Sequence, residues 1–276
     1  MFRIIKLELR KTGDKMQENL KIAGLQLDLH WENPSKNLSK IFEHLNQLDE
    51  VDIIILPESF STGFSMKALD LAYHKDSTDL MQLQKWVDDK ATVICGSVWY
   101  NENGNLSNRF LWISPNNEIQ YYDKRHLFSL SEEPSVMKAG NLQILINYKG
   151  WKIAPFICYD LRFPVWSKNS TEFNYDLSIY VANWPERRSF AWEQLLSARA
   201  IENQSYVIGI NRMGVDGNGV DHIGASQVIQ ASGEIITRAE NNCEQVIYAN
   251  LSLEKLKNYR KKLPFLLDSD KFNLEA

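Results

Sequence analysis

The sequence predicts a layered α/β domain built on mixed β-sheets, and two observations carry that prediction. Early in the chain, β-branched runs alternate with stretches of helical periodicity, the pattern of parallel strands joined by helical crossovers. In mid-chain and near the C-terminus, strands are separated only by short turns, which makes hairpins and therefore antiparallel pairs. No repeat, low-complexity tract or linker interrupts the 276 residues, so a single domain is expected over residues 16–276.

Leu20 to Leu29 begins with period-two alternation and reads as the first strand. Residues 33–48 bring Leu38, Ile41, Phe42, Leu45 and Leu48 onto one helical face behind Asn33-Pro34, where proline's fixed φ suits a first turn. Val51 to Pro57 has the composition of a strand buried on both faces, and it runs into the polar loop Glu58 to Phe64. A helix over Thr78 to Lys90 and a strand over Ala91 to Tyr100 form the next unit, followed by a turn at Asn101–Asn105. Arg109–Ser114 and Glu118–Asp123, split by Pro115-Asn116-Asn117, read as a hairpin that opens into a loop ending at Gly140. Leu142–Tyr148, a Lys149-Gly150 turn and an apolar strand lead to Cys158. Tyr175–Val181 is another buried strand, ending in Ala182-Asn183-Trp184-Pro185.

Ser189 is expected to cap a helix to about Gln204, with Phe190, Leu195, Leu196 and Ala200 at its apolar positions. Tyr206–Asn211 then meets a glycine-rich loop. Strands over residues 226–230, 234–238 and 245–251 precede a helix over 253–262 and a polar tail from Phe265 to Ala276. Residues 1–15 carry Arg3, Lys6, Arg10, Lys11 and Lys15, too charged for a secretory signal. They read as an appended or mis-started leader outside the fold.

Composition narrows the function. The chain is 44% hydrophobic and 24% charged, with a net charge of −4, so neither nucleic acid nor an acidic membrane surface is an expected partner. No apolar run approaches membrane-spanning length. Cys95, Cys158 and Cys243 are widely spaced without a CxxC pair, which argues against zinc and disulfides and for a reducing, cytoplasmic setting. Asp216-Gly217-Asn218-Gly219 has calcium-loop residue types but lacks the downstream bidentate acid of an EF-hand, and reads as a turn. No phosphate- or dinucleotide-binding glycine motif is present, so no metal and no cofactor are expected.

Three reactive side chains fall immediately after strands: Glu58, Lys124 and Cys158. Strand ends on one edge of a layered sheet are neighbours, so the three could meet. A thiol there needs a base to become a nucleophile. Glu58 could take its proton and return it to a leaving amine. Lys124 could lower the thiol pKa and stabilise a tetrahedral oxyanion, where one donor is worth ~3 kcal/mol. The backbone N–H of Tyr159 is a natural second donor. Each residue alone has an ordinary reading, as a solvated loop acid, a charged turn and a small core side chain. A Cys158–His126 dyad is a further arrangement.

Leu56-Pro57-Glu58, Tyr122-Asp123-Lys124-Arg125-His126-Leu127-Phe128 and Cys158-Tyr159-Asp160-Leu161-Arg162-Phe163-Pro164 together resemble the nitrilase (carbon–nitrogen hydrolase) superfamily, in order and separation. Asn183-Trp184-Pro185, Arg199 to Gln204 and Asn211-Arg212 continue the likeness, which is nearest to the bacterial omega-amidase branch. The resemblance implies an α-β-β-α sandwich of two mixed sheets and a homodimer packed through helices. It implies Glu58 as general base, Lys124 as oxyanion stabiliser and Cys158 as nucleophile. It also implies a second glutamate, Glu132 or Glu133, with the loop register favouring Glu133. The substrate it implies is the terminal amide of a small 2-oxo dicarboxylic acid such as 2-oxoglutaramate, hydrolysed by water.

A guanidinium is the expected grip for such a substrate's carboxylate. By the resemblance this is Arg162, whose other reading is a salt bridge to Asp160 or Glu58; Glu186-Arg187-Arg188 offers alternative cations. Phe64 stands where mammalian-type relatives carry a tyrosine, which removes one hydroxyl. Phe60 and Trp184 are expected to wall the pocket. The same triad would serve an N-carbamoyl amidase, a deaminated-glutathione amidase or a nitrilase, and a silent binding protein could retain the scaffold.

Overall fold

The computed structural model describes residues 3–8, 17–116 and 119–272. In chain order its first elements are β1 (Arg3–Glu8), β2 (Asn19–Gln26), α1 (Pro34–Leu45), β3 (Ile53–Ile55), α2 (Thr78–Lys90), β4 (Val93–Glu102), β5 (Asn105–Ile113), β6 (Gln120–Asp123) and α3 (Glu133–Val136). Then come β7 (Leu142–Tyr148), β8 (Trp151–Ile157), α4 (Pro164–Ser167), β9 (Leu177–Ala182), α5 (Ser189–Asn203) and β10 (Tyr206–Asn211). The last are β11 (Met213–Val215), β12 (Asp221–Ile223), β13 (Gln227–Ile229), β14 (Ile235–Arg238), β15 (Gln245–Ser252) and α6 (Leu253–Lys262).

The strands form two mixed sheets, ordered β1-β7-β8-β9-β10-β13-β14 and β15-β2-β3-β4-β5-β6, with β11-β12 as a separate ribbon. In the first, β8, β9 and β10 run parallel and β13 and β14 return antiparallel. In the second, β2, β3 and β4 are parallel and β5 and β6 antiparallel. Each sheet thus combines parallel crossovers with antiparallel hairpins, the mixed character that the sequence pattern predicts.

Strand periodicity separates the layers. Ile53 and Ile55 join a core cluster with Ile179, Ile208 and Ile210 of the facing sheet, whereas Ile54 joins the cluster of Ile41, Leu83 and Val87 from α1 and α2. On the far side, α5 packs Trp192 and Leu196 over β10. The result is an α-β-β-α sandwich. Where the sheets face each other, a Cβ on Gly24 would overlap Ile210 Cδ1, so glycine is what admits that side chain.

Three details differ from the sequence reading. Arg3–Glu8 lies in the fold, paired parallel with β7 from Arg3↔Leu142 to Glu8↔Asn147. Its charges suit an edge strand, and counting them obscured the apolar Ile4, Ile5 and Leu7. The other leader residues, 1–2 and 9–16, are outside the described residues, as are 273–276 of the tail. Ser189 is the first helical residue of α5 and makes no side-chain cap, because the 3-10 turn Glu186–Arg188 leads directly into the helix. Phe190 is 77% exposed, since the buried face of α5 follows Trp192, Leu196, Arg199, Ala200 and Asn203.

Candidate active site

The ends of β3, β6, β8 and β9 converge on one buried floor. Glu58 follows β3 with Ser59 at φ +43°, and Cys158 follows β8 at φ +42°. Such left-handed residues without glycine cost roughly 1–3 kcal/mol each and persist only when the surroundings fix them. At Cys158 the fixing group is Asp160, whose Oδ2 accepts the Ile157 N–H at 3.0 Å. Asp160 also accepts from Tyr122 Oη at 2.7 Å and from the His126 N–H at 2.9 Å, and its Oδ1 lies 2.8 Å from His126 Nδ1. His126 stacks on Phe163 with ring centroids 3.8 Å apart. His126 is therefore a support for the cysteine turn and not its dyad partner.

Glu58, Lys124 and Glu133 are fully buried, with Lys124 bonded to both carboxylates. Lys124 Nζ donates to Glu58 Oε1 at 2.9 Å and to Glu133 Oε1 and Oε2 at 3.1 and 3.0 Å. The Asn183 N–H donates to Glu58 Oε2 at 2.8 Å, and the Phe128 N–H to Glu133 Oε2 at 2.6 Å. Asn108 Nδ2 reaches both carboxylates. Of the two adjacent acids, Glu133 makes these contacts while Glu132 is exposed.

Two carboxylates against one ammonium decide the protonation states. Burial disfavours the Lys124 charge, yet Glu133 and Glu58 outweigh it and hold the ammonium above its ordinary pKa. Burial, opposed by Lys124 and reinforced by Glu58, pushes the Glu133 carboxyl up. Burial, and then the charge of Glu58, push the Cys158 thiol well up, and the lowering by Lys124 is smaller. Lys124 does lower the thiol pKa as expected, but burial and Glu58 raise it by more, so the proton is left for a base to take.

Above the floor is a cavity of about 230 Å³. Phe64, Phe128, Tyr159 and Trp184 line it, and Arg162, Arg187 and Arg188 stand with them. Arg162 lies 4.8 Å over the Trp184 ring, and Arg188 5.3 Å over Phe128. Among the described residues none of these three arginines makes a salt bridge, so the reading of Arg162 as a partner of Asp160 or Glu58 does not hold. Burial, followed by crowding from Arg187 and Arg162, pushes Arg188 below its ordinary pKa. Asp216, Asn218 and His222 line the pocket from the β11–β12 ribbon. Asp216 Oδ1 accepts from the N–H groups of Asn218 and Val220, a turn and no ion site. Phe60 is the misassigned wall. It is buried beneath Gly96 and against Tyr73 at 6.4 Å, because the left-handed Ser59 turns it into the outer helix layer.

Among the described residues, no group of three or more His, Cys, Asp or Glu side chains could hold a metal ion, and no helix is long and apolar enough to cross a membrane. The carbon–nitrogen hydrolase pattern matches residues 21–261. The chain belongs to that family. The hydrolase is 44% identical to the omega-amidase YafV of Escherichia coli (strain K12) over 92% of this chain and 98% of that one. It is 29% identical to a 2-oxoglutaramate amidase of Bacillus subtilis (strain 168), over 90% of this chain and 96% of the other. Its fold matches XC1258 of Xanthomonas campestris, a CN-hydrolase superfamily protein with an arsenic adduct in its active site, with a TM-score of 0.91 and 37% identity. That likeness covers 94% of the hydrolase and all of XC1258.

Sequence reasoning missed Asn108, the hub role of Asp160, and the ribbon residues. Asn108 left a signal, since asparagine is depleted inside strands and here interrupts β5. The ribbon left none, because nothing local ties His222 to a cysteine 64 positions earlier.

Proposed function

We propose that this hydrolase is an omega-amidase, acting on the terminal amide of small 2-oxo dicarboxylic acid monoamides such as 2-oxoglutaramate. The observation that carries the reading is one pocket that joins Cys158 and a buried Glu–Lys–Glu cluster to guanidinium groups that, among the described residues, form no salt bridge. The named activities of the relatives above point the same way.

In this reading Glu58 takes the Cys158 proton as sulfur attacks the amide carbon. Lys124 spends its three N–H groups on carboxylate oxygens at rest. Once Glu58 is protonated its pull on the ammonium falls, which frees a donor for the oxyanion at the moment it forms. The Tyr159 backbone N–H supplies the other donor. Glu58 returns the proton to the leaving nitrogen, and ammonia departs from a thioester. Water, deprotonated by Glu58, then attacks the thioester carbon, and the proton passes back to sulfur as the acid leaves. Arg162, Arg187 and Arg188 hold the keto-acid carboxylate, with Phe64, Tyr159 and Trp184 as apolar walls. The free cysteines suit a cytoplasmic setting, and exposed Val165, Phe190 and Ile201 suit a homodimer.

The test is ammonia release from 2-oxoglutaramate beside glutamine, an N-carbamoyl amino acid, deaminated glutathione and an aliphatic nitrile. Preferred turnover of the keto-amide is expected, lost in Cys158→Ala. Preference for another member of the set would replace the substrate, and undiminished turnover by Cys158→Ala would remove the nucleophile.

A further inference from the structure

One buried polar side chain on the floor has no part in the reaction as written. Asn108 is fully buried within β5. Its Nδ2 donates to Glu58 Oε1 at 2.8 Å and to Glu133 Oε1 at 3.2 Å. Lys124 Nζ donates to the same two oxygens at 2.9 and 3.1 Å. Each oxygen is therefore held between an ammonium and a neutral amide. Asn108 Oδ1 accepts no hydrogen bond among the described residues. That fixes the amide's orientation, because a flip would turn Oδ1 against two carboxylates. The Asn108 backbone carbonyl also accepts the Lys124 backbone N–H at 2.9 Å, so the residue that holds both carboxylates also anchors the main chain from which Lys124 extends.

We propose that Asn108 is a positioning residue that clamps Glu58 and Glu133 together and, by occupying Glu58 Oε1, reserves Oε2 for the thiol proton. The inference rests on the Glu58–Lys124–Cys158 reading above. Among the described residues Oε2 accepts from Asn183 alone, through its backbone N–H at 2.8 Å and a long Nδ2 contact at 3.4 Å. The residue type follows from charge. A second cation at this position would neutralise both carboxylates and weaken the base. An apolar side chain would leave Lys124 alone to oppose their repulsion, and an aspartate would add a third anion. The charged and titratable groups facing Asn108 are Glu58, Glu133 and Lys124, with Cys158 across Glu58.

Asn108→Ala and Asn108→Ser are compared with wild type in two measurements. One is the pH profile of kcat and kcat/KM for ammonia release from 2-oxoglutaramate. The other is the pH dependence of iodoacetamide alkylation at Cys158, read by peptide mass. Loss of a donor to the charged carboxylates makes them hold a proton to higher pH. Asn108→Ala should therefore move the acid limb of kcat/KM up by about one pH unit, lower kcat roughly 10- to 100-fold and leave KM within about twofold. Alkylation near neutral pH should slow by about tenfold, and Asn108→Ser, which keeps a small donor, should recover part of both. An unmoved acid limb and unchanged alkylation in the alanine variant would overturn the proposal. If that variant does not fold, the serine variant decides on the same readings. If wild type releases no ammonia from the keto-amide, the substrate reading fails separately and alkylation still decides the role of Asn108.

Discussion

The floor and the mouth of this pocket are built on opposite principles. At the floor, the hydrogen bonds of the Lys124 ammonium go to carboxylates, and Glu58 and Glu133 are sealed from water. At the mouth, Arg162, Arg187 and Arg188 rest on aromatic rings or in solvent, and among the described residues none is in a salt bridge. A site fully satisfied in the resting state can only perform its own reaction. A site with unspent donors waits for a ligand to complete it. On the proposed reaction the chemistry belongs to the floor, and substrate choice to the mouth.

The sharpest way to break this comparison is at Lys124. Lys124→Met leaves two buried carboxylates facing each other without their cation. Removing one partner from a buried ion pair costs about 3–5 kcal/mol, and losing an oxyanion donor costs ~10²–10³ in rate. Urea melts at pH 7 should show that loss of stability. The deficit should shrink toward pH 5, because burial already pushes the Glu133 carboxyl up and it will accept a proton first. A variant as stable as wild type at pH 7 would mean that the floor is not charge-compensated.

An intermediate effect is expected at the mouth. Arg162→Ala and Arg188→Ala should each raise KM for 2-oxoglutaramate by roughly tenfold with kcat little changed, the signature of lost ground-state binding. A neutral amide without the keto-acid carboxylate should feel neither change. Equal losses on both substrates would assign the arginines to the fold instead.

The effect confined to the narrowest window, acid pH, concerns the ribbon that lines the pocket. Burial, followed by the charge of Arg212, pushes His222 down from 6.5 to about 4. Below 6.5 the unfolded chain takes up a proton that the folded chain refuses, so stability is whole above pH 6.5 and declines as pH falls toward 4. The decline attributable to this residue is at most roughly 3 kcal/mol. Thermal melts of His222→Gln should show a flatter slope across that window, and an unchanged slope would assign it to other groups.

How much of this was legible in the sequence follows the same division. Glu58 and Cys158 announce themselves because each follows the end of an apolar strand, and Lys124 because it leaves a hairpin, places where local pattern and chemistry coincide. The mixed sheets were readable for the same reason, since crossovers and hairpins differ in the spacing of their strands. Phe60 was misread because its direction depends on the left-handed Ser59 beside it, which hydrophobicity cannot report. Phe190 was misread by counting apolar residues without phasing them on the helix. The choice between Glu132 and Glu133 needed the contact with Lys124, 9 positions away in sequence. Arg162 was read as a cation near the thiol, but whether it was spent on Asp160 could only be seen once His126 and Tyr122 were found to fill that carboxylate.

The close approach of the sheets at Gly24 has a consequence for how activity arises during folding. Glu58, Lys124 and Asn108 ride on the six-stranded sheet, and Cys158 and Asn183 on the seven-stranded one. Neither sheet alone carries the proposed nucleophile together with its proposed base. A collapsed state with both sheets formed but not yet docked would have native-like backbone absorption and no turnover. Catalysis in this protein is thus a readout of sheet-to-sheet docking, and Gly24, which touches no reacting group, sits at the seam where that docking is completed.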